Sequence, residues 1–225
     1  MAEKTGDNLA LWRSVEKTDP AQTRPYQSGS GNRTTVRPMY LILRATELWG
    51  PMGGAWGIRI VTEKIVDGAP ITLGTDGRVI GHESIHQVQA EVYYPGGIIP
   101  CFGQTKFVGR NQRGTFTDED APKKSLTDAL KKGLSWLGFS ADIHMGMYDD
   151  DKYVTDTRQE FAAQKVNGDL REKALAILKV AAKKGQGDLK LAWETVLTKE
   201  MRKACAEDIE DLKQEVELLK NVDPR

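Results

Sequence analysis

Residues 85–107 read IHQVQAEVYYPGGIIPCFGQTKF, and this stretch decides the fold of the chain around it. Val88, Ala90 and Val92 alternate with Gln and Glu, and a period of two predicts a strand that buries one face. A Pro-Gly-Gly turn signal follows, and the chain then enters a second extended segment at about 98–108. These two strands are therefore predicted to pair as an antiparallel hairpin.

The residues before this hairpin extend the predicted sheet. Residues 56–60 alternate between large apolar side chains and small or charged ones, which predicts a third strand. The dipeptides Asp67-Gly68 and Asp76-Gly77 are typical of tight turns, so each is predicted to connect two antiparallel strands. The sequence thus predicts an antiparallel sheet of at least three strands.

A helix is predicted to follow the sheet. Three acids at 118–120 and Pro122 are typical of the first turn of a helix. Apolar residues then recur at helical spacing, so one face of the helix is expected to pack on the sheet. The other face carries Lys124, Lys131 and Lys132. We therefore predict the α+β class, with an antiparallel sheet of at least three strands followed by a helix that packs on it.

The remaining segments are predicted from shorter signals. Apolar periodicity indicates helices at about 9–15 and 39–49, whereas residues 21–38 are predicted to form a loop because Gly, Ser, Pro and Asn occur throughout them. From residue 157 onward the chain is helical in pattern and rich in lysine and glutamate. We therefore divide the chain into a core domain, 1–156, and an added C-terminal helical region, 157–225, which is acidic at its end.

The charge of the chain is balanced in total but uneven along the sequence. Its 225 residues include 32 basic and 32 acidic side chains, which excludes a uniformly basic nucleic-acid coat. Residues 21–46 nevertheless contain four arginines and no acid, and residues 104–132 contain seven bases against four acids. Residues 200–225 reverse the balance, with five bases and eight acids. Charge alone favours equally a nucleic-acid site in the core and an ordinary solvated helix face.

Cysteine content and hydropathy indicate a cellular compartment. Cys101 and Cys205 are far apart and lie in segments of different character, so no disulfide framework is predicted. No stretch approaches the roughly 20 apolar residues of a membrane helix, and the first residues lack a signal-peptide pattern. The expectation is a reduced, cytoplasmic protein that does not associate with a membrane.

His82, Glu83 and His86 match the H-E-x-x-H pattern of zinc hydrolases. That pattern binds zinc from a helix, where two histidines four residues apart share one face. Here the pair leads directly into a predicted strand, in which the two Cα atoms would lie roughly 13 Å apart. His144 is the only other histidine in the chain. A chance match in a turn and strand is therefore favoured, and a zinc metallohydrolase is the remote alternative.

Several segments between residues 9 and 154 carry a family resemblance. The most specific is TDALKKGLSWLGF at 127–139. The full set is LWRSVEKTDP at 11–20, ATELWGP at 45–51, Trp56-Gly57, FGQTKFVGRNQRGTFTDEDAPKKSL at 102–126 and TDALKKGLSWLGFSADIHMGMYDDDKYV at 127–154. The chain resembles phage-encoded single-strand annealing proteins of the Rad-fifty-two-like superfamily, which includes the Erf-type and Sak-type recombinases.

This resemblance implies a fold, an assembly and an activity. It implies the Rad-fifty-two-like β-β-β-α core, assembled into an oligomeric ring or helical filament. It implies annealing of complementary single strands of DNA in homologous recombination and DNA repair, without ATP, catalytic residues, a cofactor or a metal. The implied partners are single-stranded DNA and the annealed duplex, with a phage exonuclease or a host single-strand binding protein as further candidates. The protein would then act in the cytoplasm of a bacterial host.

The resemblance and the charge pattern together indicate DNA-binding residues. In the eukaryotic branch of the family a lysine-arginine pair on the corresponding helix lines the DNA groove, and its positions here are Lys131 and Lys132. The next arginine of the family is Ser135 in this chain, and an upstream arginine corresponds across a gap to Arg24. The predicted DNA-binding residues are Lys131, Lys132, Lys123, Lys124, Arg24, Arg33, Arg37 and Lys106.

The last predictions concern aromatic residues that could stack on bases and the principal alternative function. An annealing protein holds phosphates and leaves base edges free for pairing, so stacking aromatics are useful to it. Tyr26 is the candidate for stacking, whereas Trp49 and Trp56 are predicted to pack the junction of helix and sheet. A passive single-stranded DNA-binding protein, with the same basic groove but no annealing activity, is the principal alternative.

Overall fold

The computed structural model describes residues 7–28, 31–73 and 77–222, which form helices and antiparallel strands. The N-terminal elements are helix α1 (Ala10–Val15), a 3-10 turn (Pro20–Gln22), strands β1 (Thr23–Ser28) and β2 (Gly31–Val36), and helix α2 (Pro38–Trp49). The central elements are strands β3 (Gly57–Leu73), β4 (Arg78–Tyr94), β5 (Gly97–Asn111) and β6 (Gly114–Thr117), followed by helix α3 (Ala121–Trp136). The later elements are helix α4 (Ala141–His144), a 3-10 turn (Met147–Asp149), helices α5 (Asp151–Ala182) and α6 (Gln186–Leu191), a π-helical segment (Ala192–Val196), and helices α7 (Lys199–Ala204) and α8 (Asp208–Val222).

The main sheet is antiparallel, with the strand order β3-β4-β5-β6. Val88, Ala90 and Val92 are buried, which confirms the strand predicted from their alternation. Cys101 lies opposite Ala90 in the register and is also buried, as expected of a small core side chain. Register shifts in the β3–β4 and β4–β5 ladders curl the sheet, because bulges increase strand twist.

Helix α3 lies unusually close to this sheet because two glycines remove side chains from the contact. A Cβ atom at Gly103 would overlap the carbonyl oxygen of Ser125 and lie 2.7 Å from the backbone nitrogen of Ala129. A Cβ atom at Gly133 would lie 2.5 Å from a methyl group of Val92. The helix backbone therefore rests directly on β4 and β5, and its basic side chains are held at a fixed height above the sheet.

Tryptophan packing joins α2 to the sheet, as predicted. The rings of Trp49 and Trp56 lie 6.0 Å apart between centroids, and Trp49 also packs on Tyr94 and Phe139. Trp56 is fully buried, and its indole N–H donates a 2.7 Å hydrogen bond to the carbonyl oxygen of Gly50. Burial of these rings fixes α2 against the same hydrophobic core that α3 covers.

The prediction of a loop over residues 21–38 is wrong. This segment contains β1 and β2, which form an antiparallel hairpin with Thr23 opposite Val36 and Tyr26 opposite Arg33. Residues 29 and 30 lie outside the described residues. Turn-forming residues dominate the composition of this segment. The two strands nevertheless form, because each provides the hydrogen-bond partners for the backbone N–H and C=O groups of the other. A count of residue types along the chain does not detect this pairing.

The prediction of a hairpin turn at Asp67-Gly68 is also wrong. Strand β3 continues through this point to Leu73, and the register shifts between the pairs formed by Asp67 and Pro70. The dipeptide therefore forms an irregularity in a long strand, because β4 is long enough to pair with β3 on both sides of it. Gly77 does lie in the turn between β3 and β4, whereas Asp76 falls outside the described residues.

The chain divides into two compact units between Val154 and Thr155. The second unit is helical, and its core contains Leu178, Leu189 and Leu212 together with several alanines. Within this unit Arg171 forms a bidentate ion pair with Asp208. In the described part of the chain, no helix is both long enough and apolar enough to cross a membrane.

Candidate nucleic-acid interface

Helix α3 carries two Lys-Lys pairs, one in its first turn and one about two turns further on. The helix begins after Asp120, with Pro122 in the first turn, as predicted from the acidic start signal. Lys123, Lys124 and Lys132 are exposed, whereas Lys131 is half-buried. The two pairs therefore share a backbone element but differ in their surroundings.

A cavity of about 630 Å³ lies beside the second pair. Its walls are α3, the β1–β2 hairpin, and the segment that begins at α4. The cavity brings together three of the predicted DNA-binding residues: Arg33 from β2, and Lys131 and Lys132 from α3. Residues that are distant in sequence thus converge because the hairpin, predicted as a loop, lies beside the helix.

Lys131 occupies the centre of this basic cluster. Its Nζ donates a 2.9 Å hydrogen bond to the hydroxyl of Thr35 on the hairpin. Burial lowers the pKa of Lys131 below its ordinary value of 10.5, while Asp128 opposes this shift and the charges of Arg24 and Lys132 add to it. The cations are therefore close enough to repel one another, and a bound polyanion would relieve that repulsion.

Aromatic side chains and a histidine also line the cavity. Tyr26, directly opposite Arg33 in the hairpin, lines it from one side, and Tyr148 and His144 line it from the other. Partial burial, followed by the charges of Lys131 and Lys132, lowers the pKa of His144 below its ordinary value of 6.5. The ring is therefore poised to gain a proton when negative charge enters the cavity.

The first Lys-Lys pair borders a more open concavity of about 400 Å³, which also contains Arg24 and Lys131. Lys123 pairs with Asp120 at 3.0 Å, and Lys124 pairs with Asp118 at 2.6 Å. Lys131 borders both concavities, so the two lysine pairs lie along one stretch of surface on α3, and Asp128, which also lines both concavities, lies between them. Part of the positive charge is already neutralised at the start of the helix.

Two of the predicted DNA-binding residues, Arg37 and Lys106, line neither concavity. Arg37 is exposed at the N-cap position of α2, and its backbone N–H bonds to the carbonyl oxygen of Gln22. Lys106 lies on β5, where its ammonium contacts Glu83 at 2.5 Å. Neither side chain lines either concavity. Six of the eight predicted residues are therefore brought together and two are not.

A buried carboxylate holds the far wall of the 630 Å³ cavity. Asp142 accepts hydrogen bonds from the backbone N–H of Thr18 at 2.8 Å, from the hydroxyl of the same residue at 2.6 Å, and from the hydroxyl of Tyr153 at 3.1 Å. The Tyr148 hydroxyl donates to the carbonyl oxygen of Thr18. Burial, with the Asp142 charge, raises the pKa of Tyr148 well above its ordinary value. The N-terminal segment therefore anchors the wall that faces the lysines.

Sequence reasoning missed the residues of this far wall. His144 was considered only as a third zinc ligand, and Tyr148 was not considered. Both belong to a segment without helical or strand periodicity, so their positions follow from the Asp142 network and not from any local pattern. Aromatic and histidine side chains just beyond a lysine-bearing helix were the only signal available.

The H-E-x-x-H residues do not form a metal site. His82 and His86 lie on strand β4, as the strand interpretation predicted. Glu83 pairs with Lys106, while Nε2 of the buried His86 lies 2.8 Å from Oε1 of Glu63. Among residues 7–28, 31–73 and 77–222, no three His, Cys, Asp or Glu side chains are grouped so that they could hold a metal ion.

No protein-family model and no curated protein matches the chain.

Proposed function

We propose that this protein is a single-strand annealing protein with the Rad-fifty-two-like fold, which holds single-stranded DNA along α3 and pairs it with a complementary strand without ATP. The observation that carries the proposal is the convergence of Arg33, Lys131 and Lys132 on one cavity. Cations spaced along a rigid helix suit a sugar-phosphate chain, which presents regularly spaced charges.

The charge state of the second lysine pair supports a polyanionic ligand. Within the described residues neither Lys131 nor Lys132 forms an ion pair. Burial lowers the pKa of Lys131, Asp128 opposes this shift, and Arg24 and Lys132 add to it. A phosphate chain would give both lysines a direct anionic partner. It would also leave the Watson-Crick edges of the bases exposed, which annealing requires because the complementary strand must read them.

Tyr26 supports a single-stranded ligand in preference to a duplex. The ring is 44% exposed, and it borders the same cavity as the lysines. An exposed aromatic ring beside phosphate-binding cations can stack on an unpaired base of any sequence. The bases of a duplex are already stacked, so this contact would be restricted to single strands.

The main sheet supports an oligomeric form of the protein. Strand β3, 17 residues long, lies at one edge, and in the described residues no strand pairs with its outer side. Ile60 and Ile65 on this strand are exposed. A long edge strand with apolar side chains is a surface on which another copy can assemble. A ring or filament would repeat the basic surface and multiply its weak phosphate contacts.

An annealing assay tests the proposal. Two complementary oligonucleotides, one carrying a fluorophore and the other a quencher, are mixed with the full chain in the absence of nucleotide. We expect the protein to accelerate duplex formation and to form rings or filaments with single-stranded DNA in electron micrographs. Pairing at the spontaneous rate, despite demonstrable binding of single strands, would contradict the annealing function.

A passive single-stranded DNA-binding protein is the second candidate. The basic cavity and Tyr26 favour it equally, because both concern binding and neither concerns pairing. The same assay separates the two functions, since a passive binder protects the strands and slows their pairing. If the protein does not bind single-stranded DNA at all, both candidate functions are contradicted.

A further inference from the structure

The first unit contains a third concavity, which the proposed function does not use. Its volume is about 510 Å³, and strands β3, β4 and β5 and helix α3 all contribute to its lining. The strand residues with polar or aromatic side chains include Lys64 on β3, Gln87 and Gln89 on β4, and Phe102 and Gln104 on β5. We name this feature the Phe102 concavity.

Phe102 is the one aromatic residue among those that line this concavity. Its side chain is 59% exposed, although β5 has a neighbouring strand on each side in the sheet. Aromatic rings usually stabilise a fold by being buried, and this ring is left largely in water. An exposed ring of this kind offers a face on which a base of any identity can stack.

The amides around Phe102 favour a polar, planar ligand. The side-chain amide of Gln87 donates a 3.4 Å hydrogen bond to Gln104, and the hydroxyl of Thr62 donates a 3.5 Å hydrogen bond to Gln89. A purely apolar ligand would bury these amides without offering them further hydrogen-bond partners. Because the amides already contact polar neighbours within the concavity, we do not expect them to select one base over another.

The Phe102 concavity adjoins the 630 Å³ cavity. Lys132 and Asp128 line both spaces. Tyr26 borders the first space and Phe102 the second, so each of the two spaces that share Lys132 contains one exposed aromatic ring. Lys64 adds an exposed cation to the second space and, within the described residues, forms no ion pair. A polyanion held at Lys132 can therefore present planar groups to both rings.

We propose that the Phe102 concavity binds an unpaired base of the same DNA strand whose phosphates lie at Lys131 and Lys132. The base stacks on the Phe102 ring, and Lys64 contacts a neighbouring phosphate. This inference rests on the proposed function and adds a second aromatic contact to it. Stacking uses the face of a base and not its edge, so the Watson-Crick groups stay available to the complementary strand.

Anisotropy titrations of a labelled oligothymidine with the full chain test this proposal. We expect Phe102→Ala to weaken binding by about 10-fold, because loss of stacking on one base has an effect of this order. The salt slope is expected to stay unchanged, since no ionic contact is lost. Phe102→Trp retains an aromatic face and is expected to bind at least as tightly as the wild type. An oligonucleotide of the same length without bases is expected to bind Phe102→Ala and the wild type equally.

Two further variants serve as controls. Ile98 is also on β5 and is 56% exposed, but it does not line the concavity, so Ile98→Ala is expected to leave affinity within about twofold of the wild type. Lys64→Ala is expected to reduce the salt slope by about 0.7, which separates the phosphate contact from the stacking contact.

The outcomes distinguish this inference from the function on which it rests. Wild-type affinity in Phe102→Ala, with binding lost in Lys131→Ala with Lys132→Ala, would overturn the stacking site and leave the proposed function standing. An equal loss on the oligonucleotide without bases would also overturn it, because stacking cannot then be the cause. If the wild type binds no single strand, both proposals are overturned.

Discussion

The two Lys-Lys pairs of α3 are identical in sequence and different in environment. The first pair, Lys123 and Lys124, is exposed and forms ion pairs with acids at the start of the helix. In the second pair, Lys131 donates a hydrogen bond to the Thr35 hydroxyl on the β1–β2 hairpin, and both Lys131 and Lys132 line the 630 Å³ cavity. The same dipeptide thus forms ion pairs at one place and, within the described residues, forms none two turns later, where Asp128 and Asp149 line the cavity without pairing with it.

This difference shows which lysines can act as a binding site. An exposed lysine that already has a carboxylate partner must exchange it for a phosphate, so much of the gain from binding is cancelled. A lysine without an ion pair gains a partner outright, and repulsion from neighbouring cations is relieved at the same time. The second pair is therefore expected to dominate affinity, although both pairs contribute equally to the net charge.

The largest expected effect concerns the close packing of α3 on the main sheet, which positions both Lys-Lys pairs. Gly103→Ala would place a Cβ atom against the Ser125 carbonyl and the backbone of Ala129. We expect it to lift α3 from the sheet and to lower the free energy of unfolding by about 3 kcal/mol or more, because neither backbone atom can move aside cheaply. Chemical denaturation measures this loss.

A second glycine provides the control for that experiment. Gly168 lies in α5, and a Cβ atom there would meet no neighbour within 4 Å. We expect Gly168→Ala to leave stability unchanged or to raise it by up to about 1 kcal/mol, through helix propensity alone. Equal effects of the two substitutions would show that α3 does not rest directly on the sheet.

Removing each lysine pair tests the comparison itself. We expect Lys131→Ala with Lys132→Ala to weaken binding to all single strands by about 10-fold or more and to reduce the salt slope by about 1.4, at 0.7 for each lost contact. Lys123→Ala with Lys124→Ala is expected to reduce the slope by less than half as much. Titrations of a labelled oligonucleotide at several salt concentrations measure both. Equal slopes for the two double variants would contradict the assignment.

Releasing the first pair from its acids should make it resemble the second. Asp118→Asn with Asp120→Asn removes both carboxylates that contact Lys123 and Lys124, while retaining side-chain oxygens as hydrogen-bond acceptors. We expect single-strand affinity to rise about threefold and the salt slope to become steeper, because two more cations are available. Unchanged binding in these variants would place the first pair outside the DNA-binding surface.

The smallest expected effect concerns pH. The pKa of His144 is lowered in the free protein, and bound phosphates would raise it again. The complex then binds more protons than the free protein, so affinity should increase as the pH falls below about 6.5, by about threefold. His144→Gln should remove this increase. Anisotropy titrations between pH 5.5 and 8 compare the two proteins, and identical profiles would exclude the histidine.

The accuracy of the sequence predictions depends on whether a pattern is local. The strand that carries Val88, Ala90 and Val92 and the start of α3 were predicted correctly, because alternation and an acidic first turn are local signals. The hairpin over Thr23–Val36 was missed, because its strands are stabilised by each other and its composition is that of a loop. Arg37 and Lys106 were included for their charge, and only their contacts separate them from the cluster.

By itself, the sequence determined the secondary elements with strong periodicity, the α+β class and the concentration of positive charge in the segments 21–46 and 104–132. The tertiary structure alone decided which cations share a cavity, which are paired with acids, and that Tyr148 and His144 face Lys131. The physical reason is distance. Periodicity and charge content are properties of neighbours along the chain, whereas ion pairing and burial depend on segments that only folding brings within a few ångströms of each other.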